Sequence, residues 1–119
     1  AQINEFERML SESGTLILKF FLHISKDEQR ERLQERIEDP TKRWKFQHGD
    51  IEVRKLWNDY VRAYEDALSQ CSTKWAPWHI VPANQKWYRN HVVGSIVVDA
   101  LNGLKMKFPQ PDLSGIVVK

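Results

Sequence analysis

From Thr15 to His23 the chain reads TLILKFFLH, a run of aliphatic and aromatic side chains that only Lys19 interrupts. A strand with one face in water alternates apolar and polar residues. An unbroken apolar run suits a strand covered on both faces, as in a parallel sheet flanked by helices. An interior strand over residues 15–23 is therefore expected. That expectation constrains the rest of the fold, because a buried-type strand with too few neighbours is left with open edges and uncovered faces.

The flanking sequence offers mostly helices. Ile3, Phe6 and Leu10 recur at helical spacing before Ser13-Gly14 supplies a stop, so the chain is expected to start inside a helix at Ala1. After the strand, Ser25 and Glu28 form a capping box, and a helix is predicted from Lys26 until Pro40 ends it. Residues Asp39 to Asp50, with Pro40 and Gly49, read as an irregular connection of about ten residues. With Asp50 as N-cap, Val53, Trp57, Tyr60, Val61, Tyr64, Leu68 and Cys71 fall on one face of a single helix of about six turns, its aromatic residues in the core. Ser72 to Pro77 breaks the pattern, and Trp78 to Val81 (WHIV) reads as a second short strand before Pro82. A last helix is predicted over 85–105, burying Val92, Val93, Ile96, Val97, Ala100, Leu101 and Leu104. The tail after Lys105, with Pro109 and Pro111, is expected to be loosely held.

Helix, strand, long helical excursion, strand and helix is an α/β order, helix-rich, with about two parallel strands at 15–23 and 78–82. Two strands cannot cover one another. The remaining sheet is expected from residues outside this sequence or from another chain, which makes this the C-terminal half of a larger domain. Its 119 residues allow one modest core at most. The formal net charge is only +2, so an anion site has to come from local clustering of cations. The single cysteine, Cys71, excludes an internal disulfide framework and leaves no Cys/His pair at zinc-ligand spacing, which favours the cytoplasm. No apolar run reaches the length of a bilayer span, and no basic-then-apolar leader opens the chain, so neither membrane insertion nor secretion is expected.

Such clustering is present. The predicted helix KDEQRERLQERIEDP carries Arg30, Arg32 and Arg36, and the stretch DPTKRWKFQHGDIEVRKLW that follows sets Lys42, Arg43, Lys45, Arg54 and Lys55 around two indoles. A mobile basic helical hairpin is the simplest reading. Guanidinium groups keep their charge and can meet two phosphate oxygens at once, so this pattern suits a polyanionic phosphate. Arg32 and Arg36 are four residues apart and share a face, whereas Arg30 lies off it; they are expected as a pair facing the anion, with Lys42, Arg43 and Lys45 along the next stretch. The bland alternative is a solvated helix face laced with Glu28, Glu31, Glu35 and Glu38, where each Glu–Arg pair adds about 0.2–0.5 kcal/mol. Trp44 is expected chiefly as a packing anchor, with stacking on a guanidinium or a base as the alternative.

In α/β sheets ligands bind outside the carboxyl ends of the strands. That rule directs attention to His23, read mainly as structural, and to the loop holding Asn84, Lys86 and Arg89. Asn84 reads equally as the N-cap of the last helix or as a ligand contact. Lys86 and Arg89 lie in the first two turns, where cations oppose the helix dipole and a bound anion would account for them. His79, His91 and Cys71 read as structural.

Taken together, FFLHISKDEQRERLQERIEDPTKRWKF, the run from Trp57 to Leu68 with AYEDAL, and APWHIVPANQKWYRNHVV from Ala76 closely resemble the type-2 polyphosphate kinase family over about Leu16 to Pro111. The resemblance implies the C-terminal part of a P-loop kinase of the thymidylate-kinase sort, a three-layer sandwich with a helical lid over residues 26–71 and a C-terminal core helix over 85–105. It also implies phosphoryl transfer between inorganic polyphosphate and a nucleoside mono- or diphosphate: AMP/ADP, ADP/ATP or the guanine equivalents. Magnesium is implied, held by residues absent from this chain, and so are a missing N-terminal P-loop half and a homo-oligomer. Gly14, Gly49, Gly94, Gly103 and Gly115 stand isolated and no glycine-lysine pair occurs, so the phosphate-binding loop of that family has no counterpart here and the chain alone is expected to be inactive. Two other classes compete: a stand-alone helical anion-, nucleic-acid- or partner-binding module, and a structural piece that recruits its own copy. The near-balance of charge argues against nucleic acid, and the strand at Leu16 argues against a self-sufficient helical module.

Overall fold

The computed structural model describes residues 1–112, 114 and 115. Seven regular elements follow one another: α1 (Gln2–Glu12), β1 (Lys19–His23), α2 (Lys26–Glu38), α3 (His48–Lys55), α4 (Trp57–Gln70), β2 (Trp78–Pro82) and α5 (Lys86–Gly103), with a single 3₁₀ turn at Arg43–Lys45. The two strands pair in parallel, Lys19 opposite Trp78 and His23 opposite Pro82. Parallel pairing needs a long crossover, and α2 to α4 provide it.

The strand alternation assigns the helices to opposite faces. On one face Phe21 meets Tyr64 of α4, ring centroids 4.9 Å apart. On the other, Phe20 and Leu22 border a hollow with Arg89, Asn90 and Val93 of α5. The order is helix, sheet, helix, the layering of an α/β sandwich. Among the described residues, full burial is confined to Leu33 of α2, Ala76 just before β2, and Val81 and Ala83 at the end of β2. The radius of gyration is 21.2 Å, against about 13.5 Å for a compact globule of this length. Broad apolar faces of α1, α4 and α5 accordingly stay open, with Phe6, Tyr60, Val98 and Leu101 all exposed.

Several expectations need correction. The strand predicted over 15–23 is regular only from Lys19, because β2 offers just five residues to pair with. The single helix predicted from Asp50 to Cys71 is two helices, since at Leu56 the amide turns to the Val53 carbonyl and the winding tightens. Asp50 is not its N-cap; α3 starts at His48, and the Asp50 carboxylate reaches back to accept from the Gln47 amide at 3.2 Å. Trp57, Tyr60 and Tyr64 do not close a core but line an open groove of about 520 Å³ with Phe21, Val61 and Ile80. The tail carries no helix or strand from 106 to 112, while the expectation for 113 and 116–119 lies outside the described residues.

Candidate functional site

Helix α2 starts where β1 ends. The Ser25 hydroxyl accepts from the Glu28 amide at 3.1 Å, as the capping box predicts. The reciprocal half of the box is absent. Glu28 turns instead to Arg32, whose Nε lies 2.7 Å from Oε1, and the Ser25 amide donates to Oδ1 of Asn84 at 3.0 Å. The Asn84 amide in turn donates to the Ser25 hydroxyl at 3.3 Å. Asn84 therefore does not cap α5, which Gln85 precedes; it joins the loops at the carboxyl ends of both strands.

The helical period then divides the charges of α2 between two neighbours. Glu28, Arg32 and Glu35 lie on the side of the β2–α5 loop, where Arg32 Nη2 donates to the carbonyls of Ala83 at 2.7 Å and Asn84 at 3.1 Å. Gln29, Leu33 and Arg36 lie on the side of α3: Arg54 Nη1 donates to Gln29 and to the Lys26 carbonyl, Leu33 is buried, and Arg36 Nη1 stands 3.8 Å from Asp50 Oδ2. The expected Arg32–Arg36 pair is thus split. Arg32 is anchored on backbone oxygens, whereas among the described residues Arg36 makes a loose ion pair.

The connection after α2 is held by its own cations. Lys42 binds Glu35 and lies 3.2 Å from Asp39 Oδ2. Its hydrogen bond to Glu35 holds the Lys42 ammonium above the usual lysine range, and the same bond pulls the Glu35 carboxyl below the carboxylate range, with a smaller push from Lys86. Asp39 is lowered chiefly by the Thr41 hydroxyl. Arg43 covers the last carbonyls of α2, its Nε 2.8 Å from the Ile37 oxygen. Lys45 Nζ lies over the face of Trp44, 5.2 Å from the ring centroid. Trp44 itself is 78% exposed, so it anchors no packing among the described residues.

Lys86 opens α5 close enough to Glu35 to act on its charge, and Arg89 forks onto its neighbour Asn90 at 3.0 and 2.8 Å. Arg32 thus sits against the loop that follows β2, while Lys42 is held by Glu35 and Asp39 toward the far end of α2. Lys45 and Trp44 lie further along the connection, and Arg36 faces α3. Sequence reasoning missed Ser25 as a partner of Asn84; the positions of these two just after the two strands were the available signal. Among the described residues no three His, Cys, Asp or Glu side chains gather into a metal-binding group. No helix among them is long and apolar enough to cross a membrane.

A family model described as Polyphosphate kinase 2 (PPK2) matches residues 1–109. An AMP/ADP-polyphosphate phosphotransferase of Meiothermus ruber is 61% identical over 92% of this chain, and an ADP-polyphosphate phosphotransferase of Rhodopseudomonas palustris is 44% identical over 91%. The chain spans 41% and 37% of those two relatives. The crystal structure of polyphosphate kinase 2 from Arthrobacter aurescens superposes with a TM-score of 0.92 at 48% identity, over 96% of this chain and 41% of that one.

Proposed function

The chain belongs to the polyphosphate kinase 2 family, and from that premise we propose that it is the lid and C-terminal core of an enzyme moving a phosphoryl group between inorganic polyphosphate and a nucleoside mono- or diphosphate. The supporting observation is the match of fold and sequence over nearly the whole chain, joined to cations carried on the crossover between two parallel strands. The proposed division is a lid over 26–71, core strands near 15–23 and 78–82, and a core helix over 85–105.

Arg36, Lys42, Arg43 and Lys45 grip the polyphosphate in this reading, and Lys86 and Arg89 face the nucleotide side. Phosphoryl transfer asks mainly for positioning and charge stabilisation, which spaced cations supply along a chain of phosphates. Lys42 answers to Glu35 and Asp39 until an anion competes for it, and Arg43 holds the end of α2 so that Lys45 and Trp44 project from a fixed turn. The nucleotide is AMP, ADP, ATP or a guanine counterpart. Magnesium, which would neutralise phosphate oxygens, would in this reading be held by residues outside this sequence, and a second copy or further chain covers the open faces.

The test is phosphoryl transfer from long-chain polyphosphate to AMP and to ADP by the full-length protein, followed by ³¹P NMR. Transfer with salt-sensitive binding of polyphosphate in preference to DNA of equal charge supports the reading. Equal affinity for both polymers without transfer identifies a general anion-binding module and sinks it.

A further inference from the structure

The hydrogen bonds around Ser25 have a geometry that a simple helix cap does not need. Two strands end side by side at His23 and Pro82, and the chain leaves them in different directions, one into α2 and the other into α5. Just beyond, the Ala83 amide donates to the His23 carbonyl at 2.8 Å, Asn84 exchanges two hydrogen bonds with Ser25, and Arg32 reaches back to the Ala83 and Asn84 carbonyls. Ser25 and Arg32 are seven residues apart on α2, or about 10 Å along its axis. One contact fixes the point from which the helix leaves the sheet; the other, two turns along, fixes its direction. Two separated attachments determine the orientation of a rod where one leaves it free to swing.

The geometry points to Asn84 and Arg32 as positioning residues that set the angle of α2 over the strand ends, and so the reach of the lid cations toward polyphosphate, without themselves contacting it. This rests on the lid reading given above. It also reassigns both residues from ligand contact. The Asn84 side chain already uses its carbonyl and one amide hydrogen on Ser25, and Arg32 directs Nη2 at two backbone oxygens and Nε at Glu28.

Asn84→Ala and Asn84→Asp separate positioning from contact. In Asn84→Asp one carboxylate oxygen still accepts from the Ser25 amide and the other can accept from the Ser25 hydroxyl, so the attachment survives while a negative charge is added. With the full-length protein, Asn84→Ala should raise the KM for polyphosphate about tenfold, as expected for the loss of about two hydrogen bonds, with kcat changed less. Amide exchange should quicken across residues 26–38 and not across 86–103, and Asn84→Asp should restore both readouts. Arg32→Ala should loosen the same segment, and Arg32→Ala with Asn84→Ala should be less than additive. An Asn84→Asp protein worse than Asn84→Ala would mean direct contact with phosphate and would overturn the inference, as would unchanged exchange and KM in Asn84→Ala. If the unsubstituted protein transfers no phosphate, the functional reading fails separately, and the exchange comparison still decides whether Asn84 orients α2.

Discussion

Nζ of Lys19 lies 2.7 Å from Oε2 of Glu7, with the two side chains only 10% and 14% exposed. The same ammonium donates to the Cys71 carbonyl at 2.6 Å and stands 5.1 Å from the centroid of the Trp78 ring. The one charged residue in the apolar strand is therefore a staple joining α1, β1 and the end of α4. Removing one partner of an enclosed pair strands the other, whereas replacing both by apolar groups is close to neutral. Lys19→Met in the full-length protein should cost about 3 kcal/mol in urea unfolding, and adding Glu7→Leu should recover most of it. A single substitution without effect would show that the pair is idle.

Glu35 and Lys42 predict a pH window for the connection after α2. The Glu35 carboxyl is lowered from its ordinary 4.5 by the Lys42 hydrogen bond, so its contribution is present above 4.5 and is lost as pH falls through the lower folded value. Lys42 is raised from 10.5 by the same bond, so its contribution is present below 10.5 and is lost as pH rises through the higher folded value. The attachment should hold fully between those limits. Carbon-detected NMR titration of the Glu35 carboxyl checks this: Lys42→Ala should return its midpoint toward the ordinary value, and an unmoved midpoint refutes the pairing.

Arg36, in a 3.8 Å ion pair with Asp50, has the looser attachment of the two expected arginines among the described residues. Arg36→Ala should lower phosphoryl transfer by about tenfold or more, the loss of one charge-assisted contact, while thermal stability changes little. Reduced stability with unaltered turnover would remove Arg36 from the polyphosphate path.

Trp44 stands 78% exposed with Lys45 over its ring. Trp44→Ala should change unfolding free energy by no more than about 0.5 kcal/mol, as at other surface positions. Its emission should also report on the connection directly: polyphosphate added to the full-length protein should shift the Trp44 contribution, seen as a difference from Trp44→Phe. A large loss of stability would restore the packing role that its size suggests.

Local patterns in the sequence were sufficient for much of this. The apolar run announced β1, Ser25 announced the start of α2, Pro40 its end, and the 3.6-residue stripe announced α5 within two residues at either end. Periodicity could not disclose the break at Leu56, because the apolar stripe continues in phase through the tighter turn. Nor could composition separate Arg32 from Arg36, which share residue type, helix and spacing yet meet different neighbours.

Helix and strand formation follow from neighbours within a few residues, so the chain's own order of side chains determined the elements, their succession and the concentration of cations between two parallel strands. That Arg32 meets backbone carbonyls depends on groups some fifty residues away in sequence. Asn84 meeting Ser25, and Lys19 meeting Cys71, exist only because the crossover returns the chain alongside β1. Hydrogen bonds act over about 3 Å, and only the folded path brings such distant residues that close.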